Sequence, residues 1–173
     1  MDKNKNSERH LVSILVPCYN EEAVLHEFYR RTVQVIDNIP QYDFQFMFVN
    51  DGSRDHTLDI MRELHEKDRR VSYVNLSRNF GKEIAMIAGI DYLTGDAAII
   101  MDADLQDPPE LIPEMISWWE KGYQDVSAKR RSRAGESFFT LFIRFCRRCP
   151  AYPCSAMSAI SAYWINSAST LCA

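Results

Sequence analysis

An α/β fold, with a mostly parallel sheet flanked by helices, is what this chain's pattern predicts, and three observations carry the prediction. Short apolar runs rich in Val, Ile and Leu alternate with segments of helical period. Each of the first four runs leads into a polar motif, at the strand end where ligands gather in open parallel sheets. The 173 residues, 46% hydrophobic and 25% charged, suit one ordinary globular domain with a real core.

The elements follow in order. "LVSILVP" (11–17) is a buried strand that Pro17 is expected to stop. "EEAVLHEFYRRTVQVID" places Val24, Leu25, Phe28, Val33 and Ile36 near helical spacing. "DFQFMFVN" (43–50) alternates and then turns fully apolar, which predicts a second strand. "DGS" is a turn, and "RDHTLDIMRELHEKD" is a helix with Leu58, Met61 and Leu64 on its apolar face. "VSYVNL" (71–76) is a third strand and "KEIAMIAGIDYL" a helix. "AAIIMD" is a fourth strand, "PELIPEMISWWEKG" a helix, and "DVSAKR" a fifth strand.

Bulk properties exclude several classes. A net charge of −4 gives no general reason to expect nucleic-acid binding. No apolar run reaches the roughly 18–20 residues that span a bilayer. The N-terminus, MDKNKNSERH, lacks the apolar centre of a signal peptide. The expected location is therefore cytoplasmic. A Rossmann dinucleotide site needs Gly-x-Gly-x-x-Gly after the first strand, and "PCYNEE" stands there instead. No Walker-type loop is present. Haloacid-dehalogenase-type phosphotransferases carry Asp-x-Asp early in the chain, whereas here it follows the fourth strand. Receiver domains carry separated acids.

The charge is uneven. From Phe138 onward there is no Asp or Glu, and Arg144, Arg147 and Arg148 supply three positive charges, which leaves −7 on the first 137 residues. Four of the five cysteines (Cys146, Cys149, Cys154 and Cys172) also lie in this last segment.

The acids raise the main chemical question. "IIMDADLQDPPE" (99–110) carries an apolar strand straight into Asp102 and Asp104, with Asp107 close behind. Carboxylates this close resist joint ionisation. A divalent cation between them removes the repulsion, and Mg²⁺ takes such hard oxygens while keeping waters or substrate phosphates as its other ligands. The alternative is a solvated acidic turn before Pro108 and Pro109. In "VPCYNEE" and "VNDGSRDHT", Asp51 can accept hydrogen bonds from a base or ribose, Tyr19 can pack on a planar base, and Pro17 can hold the loop. The alternative there is a turn with helix caps, Asp55 being the N-cap.

Taken together, in this order and spacing, "VPCYNEE", "VNDGSRDHT", "SRNFGKEIAMIAGI" and "MDADLQDPPELIPEM" resemble family 2 glycosyltransferases with the GT-A fold. "RNFGKE" and "DADLQDP" point to the polyprenyl-phosphate branch. This branch includes bactoprenol glucosyltransferases and is related to dolichyl-phosphate mannosyltransferases. The resemblance covers about residues 11–137 and implies a division into a GT-A domain (1–137) and an atypical tail (138–173).

The resemblance implies roles residue by residue. Pro17, Tyr19, Glu21 and Asp51 would hold the nucleotide, with Gly81 and Lys82 close to the donor. Asp102 and Asp104 would serve the metal (Mg²⁺ or Mn²⁺) and the diphosphate, with Gln106 a further metal-site residue. In "KRRSR" (129–133), Arg130, Arg131 and Arg133 would meet the acceptor phosphate, since a guanidinium fork suits phosphate oxygens; a solvated basic loop is the alternative. The implied reaction is inverting transfer of a hexose from a nucleoside-diphosphate sugar (UDP-glucose or GDP-mannose class) to a polyprenyl phosphate at the inner face of the plasma membrane.

After "SRAGESFF" the pattern departs from the family. The Asp-x-Gly-Asp-Phe-Arg-Leu-like motif and the two C-terminal membrane helices are not seen. The Cys/Ser/Ala-rich tail reads as a truncated or frame-shifted end. Cys146-x-x-Cys149 with Cys154 offers three ligands where structural zinc takes four, and "FFTLFIRF" could lie on a membrane surface. Two other functions stay open: a non-catalytic remnant that at most binds nucleotide sugar, and a family 2 transferase acting on a sugar hydroxyl.

Overall fold

The structure is a computed structural model. It describes residues 9–106, 108–123 and 126, together with the backbone of two very short strands further on. A four-stranded, fully parallel sheet forms its centre, in the order β3-β2-β1-β4. The strands are β1 (His10–Cys18), β2 (Tyr42–Asn50), β3 (Val71–Asn75) and β4 (Ala97–Ile100). The helices are α1 (Leu25–Ile36), α2 (Thr57–Lys67), α3 (Lys82–Ile90) and α4 (Ile112–Glu120), the last preceded by a 3-10 turn at Pro109–Leu111.

The chain order fixes the layers. From β1 the chain moves outward through α1 to β2 and through α2 to β3, then crosses back through α3 to β4. Crossovers between parallel strands are right-handed, so reversing direction puts the connecting helix on the opposite face. The packing agrees. Even-numbered residues of β1 and β2 (Val12, Ile14, Val16, Phe44, Phe46 and Phe48) share one core with Leu25 and Phe28 of α1, Met61 of α2 and Met115 of α4. The other face joins Leu15, Met47, Val49 and Ala98 to Ala85 of α3. Both faces of the central strands are covered, which is why they read as continuous apolar runs.

Pro17 does not end β1 as expected. The strand runs on, pairing Pro17 with Val49 and Cys18 with Asn50. Orientation explains this. The carbonyls of Leu11 and Leu15 accept from Asp96 and Met101 on the β4 side, and the Cys18 carbonyl accepts from Asp51 on the β2 side. Pro17 therefore faces β4, and its missing N–H costs the β2 ladder nothing. It ends only the β1–β4 ladder, whose last pair is Leu15 with Ile100. Beyond that pair the two strands part, at the point where the strand order reverses.

The helical faces shift by small steps from the expectation. In α1 the buried set is Leu25, Phe28, Thr32 and Ile36, with Val24 and Val33 only half-buried. Thr32 is tolerated inside because its hydroxyl donates to the Phe28 carbonyl at 2.8 Å. In α2 the buried face is Thr57, Met61 and Leu64, and Leu58 is half-buried. The expected fifth strand is not in the main sheet: β5 (Lys129–Arg130) pairs antiparallel with β6 (Ser137–Phe138) as a separate ribbon. The start of "DVSAKR" and the tail after Phe138 lie outside the described residues, apart from Val126. No described helix is long and apolar enough to cross a membrane.

Candidate active site

All four strand-end motifs converge on one open cleft of about 240 Å³. Pro17, Cys18, Tyr19 and Glu21 enter from β1, and Asp51 from β2. Asn79 and Lys82 come from the loop into α3, and Asp102, Ala103 and Asp104 from the end of β4. The cleft sits where β1 and β4 part, at the carboxyl end of the sheet, the switch-point position that open α/β sheets use for ligands.

Backbone-directed hydrogen bonds lock the first two motifs together. Asn20, in the left-handed region at φ 57°, donates its N–H to Ser53 Oγ (3.0 Å), and its side-chain oxygen accepts from the Arg54 N–H (2.8 Å). The Glu21 N–H donates to Thr57 Oγ1 (2.8 Å), and that of Glu22 to Asp55 Oδ2 (3.1 Å). The Glu22 carboxylate in turn accepts from the His56 N–H (2.9 Å). Asp55 is not the N-cap as expected, a place His56 takes without a side-chain bond, but its carboxylate still accepts from the Thr57 N–H at the start of α2. Burial pushes its carboxyl up, but the hydrogen bonds from Thr57 and Glu22 outweigh this and hold it below the usual range.

Asp51 ties in the third motif. It is 2% exposed, and its two oxygens accept the N–H groups of Phe80 (2.7 Å) and Gly81 (2.9 Å). Gly52 makes this approach possible. At φ +66° it adopts a conformation that L side chains avoid, and a Cβ there would stand 2.3 Å from the Arg78 carbonyl carbon.

The fourth motif brings charge. Lys82 Nζ donates to Asp102 Oδ2 at 2.6 Å. Asp104 Oδ1 accepts from the Gln106 N–H at 2.9 Å, and Leu105 between them is left-handed at φ 59°. The acids act on their neighbours. Burial, then the negative charges of Asp104, Asp102 and Asp55, raises the Glu21 carboxyl above its usual range. Burial first, then Glu21, Asp102 and Asp55, pushes the Cys18 thiol well up, so it is an inert neutral group at the cleft floor.

This donor set fits a hard divalent cation. Two carboxylates one residue apart, whose negative charges also raise the Glu21 carboxyl, are what Mg²⁺ or Mn²⁺ can use when waters or substrate phosphates complete the shell. No group of three potential metal-ligating side chains converges among the described residues. Asp102 and Asp104 are the pair available, with the Gln106 backbone bound to Asp104.

Most of the expected site residues are thus brought together. Pro17, Tyr19, Glu21, Asp51, Lys82, Asp102 and Asp104 line the cleft, while Gly81 stands behind it as an amide donor to Asp51. Tyr19 is 41% exposed beside the cleft. Arg130 belongs to β5, described by its backbone only, and Arg131, Arg133 and Asp107 lie outside the described residues. Sequence reasoning missed Cys18, Asn79 and Ala103. All three sit inside the motifs, but nothing in their residue types signals a contact.

Comparison with known proteins agrees with this geometry. The chain is 52% identical over 132 residues to the uncharacterized glycosyltransferase YkcC of Bacillus subtilis, covering 76% of this chain and 41% of that protein. It is 44% identical over 123 residues to the bactoprenol glucosyl transferase of Shigella phage SfX, covering 71% and 40%. The chain therefore spans about 40–41% of the length of these curated relatives. Among solved structures it resembles a mannosyltransferase from Pyrobaculum calidifontis in complex with GDP-Man and Mn²⁺ (TM-score 0.59, 21% identity, 73% of this chain and 37% of that one). It also resembles the glucosyl-3-phosphoglycerate synthase of Mycobacterium tuberculosis (TM-score 0.55, 20% identity, 73% and 44%). These likenesses establish the GT-A fold. Residues 13–148 match the family described as glycosyl transferase family 2, and with the strand-end motifs gathered into one cleft this chain belongs to that family.

Proposed function

We propose that the protein transfers a hexose from a nucleoside-diphosphate sugar to a polyprenyl phosphate, with a divalent cation at Asp102 and Asp104. The observation that carries this reading is the convergence of all four motifs on one cleft at the switch point. The 44% identity to a bactoprenol glucosyl transferase supports the lipid phosphate as acceptor. Neighbours of the same fold solved with Mn²⁺ and with GDP-Man or UDP support the donor class and the metal.

In this reading, the exposed Tyr19 ring packs on the base, while Pro17 and Glu21 shape the nucleotide end of the cleft. Asp51 works indirectly by fixing the loop that carries Lys82. Asp102 and Asp104 would hold the cation, which would supply charge compensation for the departing diphosphate. Lys82 adds a mobile positive charge at the same end. The acceptor needs little general-base help, because a phosphate monoester, with a second pKa of about 6, is already an anion near neutrality. Its difficulty is approaching a diphosphate of like charge, and Arg130, Arg131 and Arg133 are proposed to compensate that repulsion.

The test is transfer of labelled sugar into an organic-extractable lipid. UDP-glucose and GDP-mannose are supplied in turn, with Mn²⁺ or Mg²⁺ and a polyprenyl phosphate in detergent. Label in the lipid that requires both acceptor phosphate and metal is the expected result. Label appearing only on added sugar acceptors would replace the lipid phosphate with a hydroxyl acceptor. Donor binding without any transfer would leave a nucleotide-sugar-binding chain.

A further inference from the structure

We infer that Lys82 is a placeholder cation: it holds Asp102 until a metal-bound diphosphate arrives, and the diphosphate then takes the ammonium over. This inference rests on the proposed metal site.

The ion pair lies inside the cleft. Lys82 Nζ stands 2.6 Å from Asp102 Oδ2, with the two side chains 51% and 36% exposed, so each can leave the other without breaking the core. Lys82 is the first residue of α3, and its backbone is anchored through Gly81 and Phe80 to the buried Asp51. The helix start is therefore fixed, and the long side chain is the part that moves.

A divalent cation and an ammonium that share the Asp102 carboxylate repel each other strongly at a few Å even under partial screening. Metal entering alone weakens the pair and pushes Lys82 toward water. Metal entering with a diphosphate displaces it onto phosphate oxygens, which an ammonium also binds well. The metal and the nucleotide must then strengthen each other's binding by the same factor.

The signature is a split in sign. In Lys82→Gln, Mn²⁺ alone should bind about 2- to 5-fold more tightly, because one competing pair of an exposed kind is gone. UDP or GDP without metal should bind more weakly, because the ammonium that would meet the diphosphate is gone. Lys82→Arg keeps the charge and should stay close to wild type on both counts. Mn²⁺ binding is read by electron paramagnetic resonance of the free ion, and UDP and GDP binding by calorimetry in metal-free buffer. Circular dichroism checks folding, and Lys82→Met serves as the second neutral variant. Tighter Mn²⁺ with weaker nucleotide establishes the placeholder. Unchanged or weaker Mn²⁺ binding in both neutral variants, with wild type binding Mn²⁺ normally, overturns it. Wild type that binds no Mn²⁺ even with UDP or GDP present overturns the metal site and the placeholder with it.

Discussion

The carboxylate of Asp51 and the backbone N–H of Gly81 meet at 2.9 Å, thirty residues apart in sequence, and the adjacent Phe80 N–H occupies the other carboxylate oxygen at 2.7 Å. A buried carboxyl group at the end of β2 thus shapes the loop that delivers Lys82. The Asp51 side chain is a positioning group for the third motif before it is anything to a ligand.

Asp51→Ala should therefore lose more than a surface contact. Two part-buried amides would lose their side-chain acceptor, at about 1–3 kcal/mol for the pair. Asp51→Asn keeps the shape but offers a single accepting oxygen, so its loss should be smaller. Urea unfolding should rank the stabilities wild type, Asn, Ala. Equal stability of all three would mean that the loop holds its form without Asp51.

Gly52 makes a sharper prediction. An added Cβ meets backbone atoms of Arg78 and Asn79 at 2.3–2.6 Å, and backbone cannot swing aside as a side chain can. With the positive φ added, Gly52→Ala should destabilise by about 2 kcal/mol or more. It should also weaken nucleotide binding by pushing the Asn79–Lys82 loop off the cleft. A variant with wild-type melting temperature and wild-type UDP or GDP affinity would show that the loop can yield.

Much of this was legible in the sequence. The strands and helices appeared because a two-faced parallel sheet demands continuous apolar runs, and the four motifs marked the strand ends. The errors have physical causes. Pro17 reads as a breaker until the strand's two edges are told apart: only the edge toward β4 loses a hydrogen bond. Thr57 carries no apolar signal and no expectation attaches to it; it is buried, with its hydroxyl accepting from the Glu21 amide across a loop. "DVSAKR" has strand character, but pairing depends on which neighbour is present, and Lys129–Arg130 pair with Ser137–Phe138. Cys18 and Asn79 were missed because backbone direction, not residue type, turns them into the cleft.

Glu21 should make stability depend on pH in an unusual direction. Burial and the charges of Asp104, Asp102 and Asp55 raise its folded-state pKa above the ordinary 4.5. The folded state then binds the proton more tightly than the unfolded state, so stability falls as pH rises from about 4.5 through the raised value and stays lowered above it. Glu21→Gln should remove that slope and melt higher than wild type at neutral pH in metal-free buffer. Identical pH profiles for the two proteins would show that Glu21 feels no net repulsion.

Asp104→Asn tests the cation site with least disturbance. The Asp104 Oδ1 that accepts from the Gln106 N–H has an equivalent in the asparagine oxygen, so the turn around Leu105 can persist. Removing the charge also relieves Glu21, so the variant should melt no lower than wild type without ligands. A ligand at one hundred times its dissociation constant stabilises the native state by about 2.7 kcal/mol, roughly 5–10 °C for a chain of this size. Wild type should show such a rise with Mn²⁺ and one of UDP-glucose or GDP-mannose together. Asp104→Asn should show little or none, because one of the two carboxylates that compensate the cation is gone. An equal metal-dependent rise in both proteins would take Asp104 out of the site.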